Sequence, residues 1–193
     1  MEATKATLFL RLSAGDAERE LAWAEFCRRY EPIIAGFARA RGARPDEITE
    51  IVQQVVTGFY AAQPRFMYDP SKGRFRGYLK ACVCNELARM RQQNARIDRS
   101  RTVHEEPVSA ANDQNWDRIW ERQCMHLALE KVRRSCRDGN AMRAFEAIVL
   151  HGQQPALVAE SLGMSRDAVY QAKSRILARL LVAMQDIDAE LGS

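Results

Sequence analysis

The sequence lacks any apolar run long enough to cross a membrane. Its apolar stretches, such as Ile148–Leu150 and Leu180–Val182, extend over only a few residues, whereas a transmembrane helix needs roughly 20. The first residues, from Met1 to Lys5, also lack the basic head and the uninterrupted apolar segment of a secretory signal. We therefore expect a cytoplasmic protein that does not interact with a membrane.

Cysteines that could pair are also missing. The five cysteines are odd in number and scattered along the chain, which argues against a disulfide framework. The residues of two close pairs, Cys82 with Cys84 and Cys124 with His126, would lie about 200° apart around a helix, so neither pair can bind one metal ion from a continuous helix. We predict free thiols and no metal site.

Enzyme motifs are absent as well. The sequence has no phosphate-binding glycine loop, and no motif pairs any of its three histidines with a nucleophile. We therefore expect no catalytic residue, no cofactor and no enzymatic activity.

Positive charge is concentrated in one stretch of the chain. The formal net charge is +4, yet residues 72–101 contain nine basic residues against two acids, which gives that stretch +7. A focused basic patch supplies the phosphate contacts behind the sequence-independent part of nucleic-acid affinity, so a polyanion partner is expected. The alternative is a basic helix face that only meets solvent.

Apolar residues recur at helical spacing, and no segment alternates as a strand would. Turn formers at 13–16, 42–46 and 64–73 predict four helices in the first half, the fourth from about Arg74 to Asn94. Residues 98–115 are polar, contain Pro107 and have no sustained apolar period, which is typical of a flexible linker. The predicted fold is all-α, with small helical domains at 1–97 and 116–193.

Residues 155–181 have the pattern of a helix-turn-helix. A short helix from Ala156 to Leu162 is followed by Gly163, which adopts a left-handed turn at little cost. Ser165 is a good N-cap for the second helix, and Asp167 in its first turn complements the helix dipole. The alternative is a helical hairpin whose charged face only meets solvent.

The second helix of this motif has two predicted faces. Its inward stripe is formed by Val169, Ala172, Ile176 and Leu180. The residues predicted to contact DNA are Arg166, Tyr170, Gln171, Lys173, Ser174 and Arg175. Arg, Gln and Ser side chains can bind base edges in the major groove, whereas Lys173 and Arg175 can also bind phosphates.

With these motifs the chain resembles the sigma-70 superfamily, in particular the short extracytoplasmic-function type of RNA polymerase sigma factor. The string from Tyr68 to Leu79, with Asn85 after it, is the most specific part of the resemblance. Further matches to region 2 of the family are Trp23–Phe26, Tyr30–Ile34 and Glu50–Val55. The second half resembles region 4, opened by Leu127–Leu129 and closed by the helix-turn-helix.

The resemblance implies a factor that binds core RNA polymerase and directs promoter recognition and transcription initiation. It implies that the clamp helices of the beta-prime subunit are bound by Glu50, Gln53 and Gln54. It implies that the melted minus-ten element is held by Arg74, Phe75, Arg76, Tyr78, Lys80, Asn85, Arg89 and Arg91. The helix-turn-helix would bind the minus-thirty-five element and contact the beta flap.

The residues themselves agree in part with this division. A basic helix with aromatic residues suits single-stranded DNA, because backbone charge and base stacking both contribute to binding. Phe75 and Tyr78 also fall on the apolar stripe of that helix, however, so a place in the core is an equal alternative for both.

Three positions depart from the usual residues of the family. Glu50 stands where an aspartate is usual, Tyr78 where a tryptophan is usual, and Arg89 where an acid is usual. The last change puts a cation in place of an acceptor beside the expected DNA path.

Other functions stay open at this point. One is a stand-alone helix-turn-helix regulator that does not act through polymerase, and another is a two-domain adaptor that binds only proteins. The sequence also leaves open whether an anti-sigma factor is a partner.

Overall fold

A computed structural model of the chain describes residues 7–12, 16–62, 75–97 and 110–192, and every element in these ranges is helical. The predicted all-α fold class is confirmed. None of the described helices has an apolar stretch long enough to span a membrane. In chain order the helices are α1 (Thr7–Leu12), α2 (Asp16–Ala40), α3 (Pro45–Ala62), α4 (Phe75–Ile97), α5 (Ala110–Ser135), α6 (Gly139–Phe145), α7 (Pro155–Leu162) and α8 (Arg166–Gly192), with a π-helical turn, Glu146–Leu150, directly after α6.

The chain divides into two compact units. The first consists of Met1–Gln123 and Ala189–Ser193, and the second of Cys124–Asp188. Helices α5 and α8 each contribute to both units. These bounds differ from the predicted domains: residues 110–115, predicted to be linker, begin α5, and the segment after them packs in the first unit because Trp116 and Trp120 are buried there. The rest of the predicted linker, 98–109, lies outside the described residues.

Aromatic rings form the core of the first unit. Phe26 of α2 stacks on Phe59 of α3, with ring centroids 4.6 Å apart and planes within 3° of parallel. Phe75 of α4 meets these two rings edge-on at 6.0 and 5.6 Å, and Tyr30 lies 5.0 Å from Phe75. Stacked and edge-to-face pairs are the arrangements that the ring quadrupole favours. They hold α2, α3 and α4 together at one point.

Helix α2 contains a proline in its interior, Pro32. Proline has no N–H, so the carbonyl of Arg28, four residues earlier, lacks its usual helical donor. Gln123 of α5 supplies a donor from the side: its Nε2 lies 3.3 Å from the Arg28 oxygen and 3.2 Å from the Arg29 oxygen. This side chain is only 7% exposed. The bond joins α5 to the middle of α2.

The second unit contains the predicted helix-turn-helix. Val158 and Ala159 of α7 pack against Val169 and Ala172 of α8, with α6 closing the cluster. Between the two helices Gly163 adopts the left-handed conformation, with φ 63° and ψ 34°, which glycine tolerates at little cost.

The helical segment before this motif begins with α6 at Gly139, because Asp138 caps it by accepting a hydrogen bond from the N–H of Ala141 at 3.0 Å. The last part is a π-helical turn, in which the N–H of His151 donates to the carbonyl of Glu146 at 3.1 Å.

Candidate nucleic-acid interface

Glu50, Gln53 and Gln54 lie side by side on the exposed face of α3. Their spacing puts them on one side of a helix, and the opposite stripe is buried: Ile48, Ile51, Val55 and Phe59. The start of α3 is well defined, with Pro45 as its first residue and Asp46 in its first turn. The helix therefore presents a carboxylate and two amides together, with no packing role for any of them.

Two of the residues predicted to hold the melted element are not on the described surface. Arg74 lies outside the described residues. Phe75 is 1% exposed at the start of α4, where it contacts the rings of Phe26, Tyr30 and Phe59. The prediction that Phe75 stacks on DNA bases is corrected: burying its ring in the aromatic core leaves no face for a base.

Arg76 is already engaged within the first unit. Its Nη2 forms an ion pair with Oδ1 of Asp117 on α5, and its guanidinium carbon lies 4.9 Å from the ring centroid of Trp120. A cation over the face of an indole is held by the ring quadrupole as well as by the carboxylate. The positive charge of Arg76 is therefore balanced by α5.

Two further cations of α4 are bonded inside the same unit. Nε and Nη2 of Arg89 donate to the carboxylate of Glu86 at 2.6–3.1 Å. Hydrogen bonding to Glu86 raises the pKa of Arg89 above its usual value, and the charge of Glu50 acts in the same direction. Arg91 donates from Nη2 to the carbonyl of Arg41, just beyond the end of α2, at 2.8 Å. Arg91 thus closes a helix end in addition to any role toward DNA.

The exposed face of α4 carries two of the remaining predicted contacts, Tyr78 and Asn85. They are seven residues apart, so they lie on one side of the helix. Tyr78 is 39% exposed, and its ring centroid lies 5.9 Å from that of Phe75 and 6.4 Å from that of Phe59, so part of the ring is packed and part is accessible to solvent. Burial, followed by hydrogen bonding to Cys82, raises the pKa of Tyr78 to about 12, so its hydroxyl stays neutral. Lys80 is half-buried beside this face.

Helix α8 of the second unit has the predicted buried and exposed faces. The hydroxyl oxygen of Ser165 accepts a hydrogen bond from the N–H of Ala168 at 3.1 Å, which fixes the start of α8. The inward stripe is buried: Val169, Ala172, Ile176 and Leu180. The exposed residues are Arg166, Tyr170, Gln171, Ser174 and Arg175, whereas Lys173 is half-buried.

The sequence alone did not reveal that Asp117, Trp120 and Gln123 of α5 contact α2 and α4. The apolar spacing of Trp116 and Trp120 is visible in the sequence, but it shows only that α5 has a buried side. It does not show that this side packs on α2 and α4.

Residues 26–97 match the family described as Sigma-70 region 2. The matched range covers most of α2, all of α3 and all of α4, which carry the aromatic core and the exposed Glu50, Gln53 and Gln54. A search of curated proteins found no match. The sigma-70 resemblance expected from the sequence is confirmed. Residues 26–97 thus match a sigma-70 region 2, which supports a member of the sigma-70 family.

Proposed function

We propose that the protein is a sigma factor of the extracytoplasmic-function type, which binds core RNA polymerase and directs it to promoters. The observation that carries the proposal is a sigma-70 region 2 at 26–97 followed in the same chain by a helix-turn-helix. The protein acts by binding, with no catalytic step of its own. It works in the cytoplasm, where it meets polymerase and DNA.

The proposed polymerase contact is the face of α3 that carries Glu50, Gln53 and Gln54. Support comes from their exposure, from their place on one helix side and from the family match over this helix. Polar groups that have no role in the core are free to be selected for binding. The partner surface would be the clamp helices of the beta-prime subunit, as the family resemblance implies.

The proposed contacts with the melted minus-ten element are fewer than the basic composition indicates. Tyr78 offers part of a ring for stacking and Asn85 offers an amide for a base edge. Lys80 would bind the backbone. Arg76 and Arg89 reach DNA only if they exchange the carboxylates of Asp117 and Glu86 for phosphates.

The helix-turn-helix is proposed to bind the minus-thirty-five element and to contact the beta flap. Support comes from the capped start of α8 and from the polar side chains in its first turns. An anti-sigma factor is a further partner in this proposal, and competition with core polymerase would reveal it.

The test is reconstitution with purified core polymerase. The chain should co-purify with the core enzyme and support run-off transcription from a subset of genomic fragments. Fragments without a promoter and core enzyme alone are the controls. A chain that binds upstream duplex DNA but neither joins the core enzyme nor starts transcription is a stand-alone regulator instead. One that binds only proteins is an adaptor.

A further inference from the structure

The first half of α5 is fitted to the first unit by a set of specific contacts. We call Trp116, Ile119, Trp120 and Gln123 the inner face of α5. Trp116 meets the ring of Phe37 edge-on, with centroids 5.0 Å apart and planes at 83°. Both tryptophans are buried. Large aromatic side chains bury the most apolar area per residue, so they dominate the stability of such a contact.

Helix α2 has two features that complement this face. Pro32 leaves a backbone carbonyl without its helical donor, and Gln123 occupies it. One turn later, Gly36 lets α5 approach closely: a methyl group there would lie 3.1 Å from Cγ2 of Ile119. A proline and a glycine are both poor residues for a helix interior. Their position opposite the inner face indicates that α2 is built to receive it.

Asp117 lies next to the inner face and reaches α4. Its ion pair with Arg76 is partly open to solvent, since Arg76 is 24% and Asp117 57% exposed. Trp120 covers the guanidinium from a second side. A phosphate that approaches Arg76 would have to displace Asp117 and would be repelled by its charge.

We propose that helix α5 competes with single-stranded DNA for Arg76, so that the free chain holds this cation out of use until α5 is displaced. The inference rests on the proposed role of α4 in binding the melted strand. The occupant of the α2–α4 surface is a segment of this same chain, and its acid takes the place of a backbone phosphate.

The size of the effect follows from counter-ion release. One more phosphate contact on a single strand makes the slope of log K against log salt more negative by about 0.7, which is worth roughly 5-fold in affinity at about 0.1 M salt. Replacing Asp117 by Asn keeps the shape of the side chain and removes its charge. Because Asp117 is exposed at the surface, this substitution leaves the core intact.

The experiment measures binding of the full chain to a fluorescein-labelled single strand of about 20 nucleotides, longer than the roughly 4–16 that such sites cover. Fluorescence anisotropy at several salt concentrations gives affinity and slope. Asp117→Asn should bind about 5-fold more tightly than wild type, and its slope of log K against log salt should be more negative by about 0.7. Glu121→Gln is the matched control: it removes one acid from an exposed position of the same helix, so it makes the same change in net charge.

Two results would overturn the inference. One is binding by Asp117→Asn that is no tighter than binding by Glu121→Gln. The other is a gain that persists in the double variant Asp117→Asn with Arg76→Gln, since the gain is assigned to Arg76. Run-off transcription by the wild-type chain separates the two ideas. If it fails, the sigma-factor proposal is wrong; if it succeeds while the oligonucleotide results are negative, only the role of α5 is wrong.

Discussion

At the scale of single residues, Cys27 shows how burial changes reactivity. This thiol lies on α2 beside Glu31, and burial, followed by the charge and hydrogen bond of Glu31, raises its pKa from 9.0 to about 11. At about pH 8 the thiolate fraction is therefore about 100-fold smaller than in the unfolded chain, and only the thiolate reacts with alkylating agents. Cys27 should be labelled by iodoacetamide far more slowly in the native protein than in urea, as measured by peptide mass spectrometry.

The variant Glu31→Gln provides the control for this prediction. It removes the negative charge that opposes ionisation, so labelling of Cys27 should become faster while the rate in urea is unchanged. Equal labelling rates in native and unfolded wild-type protein would contradict the assignment.

Gln123 gives a second prediction at this scale. Gln123→Leu removes the donor that serves the part-buried Arg28 carbonyl, which should cost about 1–3 kcal/mol of the free energy of unfolding. Pro32→Ala restores a backbone N–H at the right place, so Gln123→Leu should cost less in that background. Urea unfolding of the four proteins measures both values. The same cost with and without Pro32 would show that Gln123 stabilises the fold in another way.

At the scale of the helix, the residues of α3 that are proposed to bind polymerase are different from those that stabilise the fold. Gln53 and Gln54 are exposed opposite a buried stripe, so Gln53→Ala with Gln54→Ala should weaken assembly with core polymerase and leave the urea midpoint nearly unchanged. The matched control is Gln92→Ala with Gln93→Ala, which makes the same chemical change at exposed positions of α4. Titration of labelled protein with core enzyme measures the affinity. Equal effects of the two pairs would remove α3 as the docking face.

Helix boundaries could be predicted from the sequence where the conformational preferences of nearby residues determine them. Gly163 and Ser165 set the turn and the start of α8 by their own conformational preferences, and the structure has both as expected. The π-helical turn after Phe145 was missed, since a period of 3.6 residues does not reveal a change to i→i+5 hydrogen bonds.

Tertiary contacts decided the cases that the sequence left open. Periodicity put Phe75 and Tyr78 on one stripe, but only the packing of α4 on α2 and α3 shows that Phe75 is buried whereas Tyr78 is half exposed. In the same way, the hydrogen bond from Gln123 to the Arg28 carbonyl depends on Pro32, which is distant from Gln123 in the sequence. Such pairings involve residues from separate helices, and no local pattern reports them.

At the scale of the whole molecule, fewer cations are available to DNA than the composition of the basic stretch indicates. The stretch 72–101 is strongly basic, yet Arg76, Arg89 and Arg91 are bonded to Asp117, to Glu86 and to a backbone carbonyl. We therefore expect the stretch 72–101 to contribute less nonspecific affinity than its nine cations would give if all were available to DNA. If the chain acts as the proposed sigma factor, we expect promoter selection to depend on combining weak contacts from both units in the polymerase complex.

The last prediction tests this combination with one residue from each unit. Arg166 lies in the first turn of the recognition helix and Asn85 on the exposed face of α4. In the reconstituted holoenzyme, Arg166→Ala should cost roughly 1–3 kcal/mol on the preferred upstream element and relax preference at one base position there. Asn85→Ala should change preference only within the minus-ten element. Because the two residues share no partner and lie in different units, their costs should add to within about 0.5 kcal/mol in the double variant.

Lys173→Ala is the control for a phosphate contact: it should weaken all sequences about equally and lower the magnitude of the salt slope by about one. Binding to a panel of promoter fragments at several salt concentrations measures all four variants. If Arg166→Ala leaves both affinity and preference unchanged, this face of α8 does not bind bases, and the helix-turn-helix serves the polymerase flap or another protein.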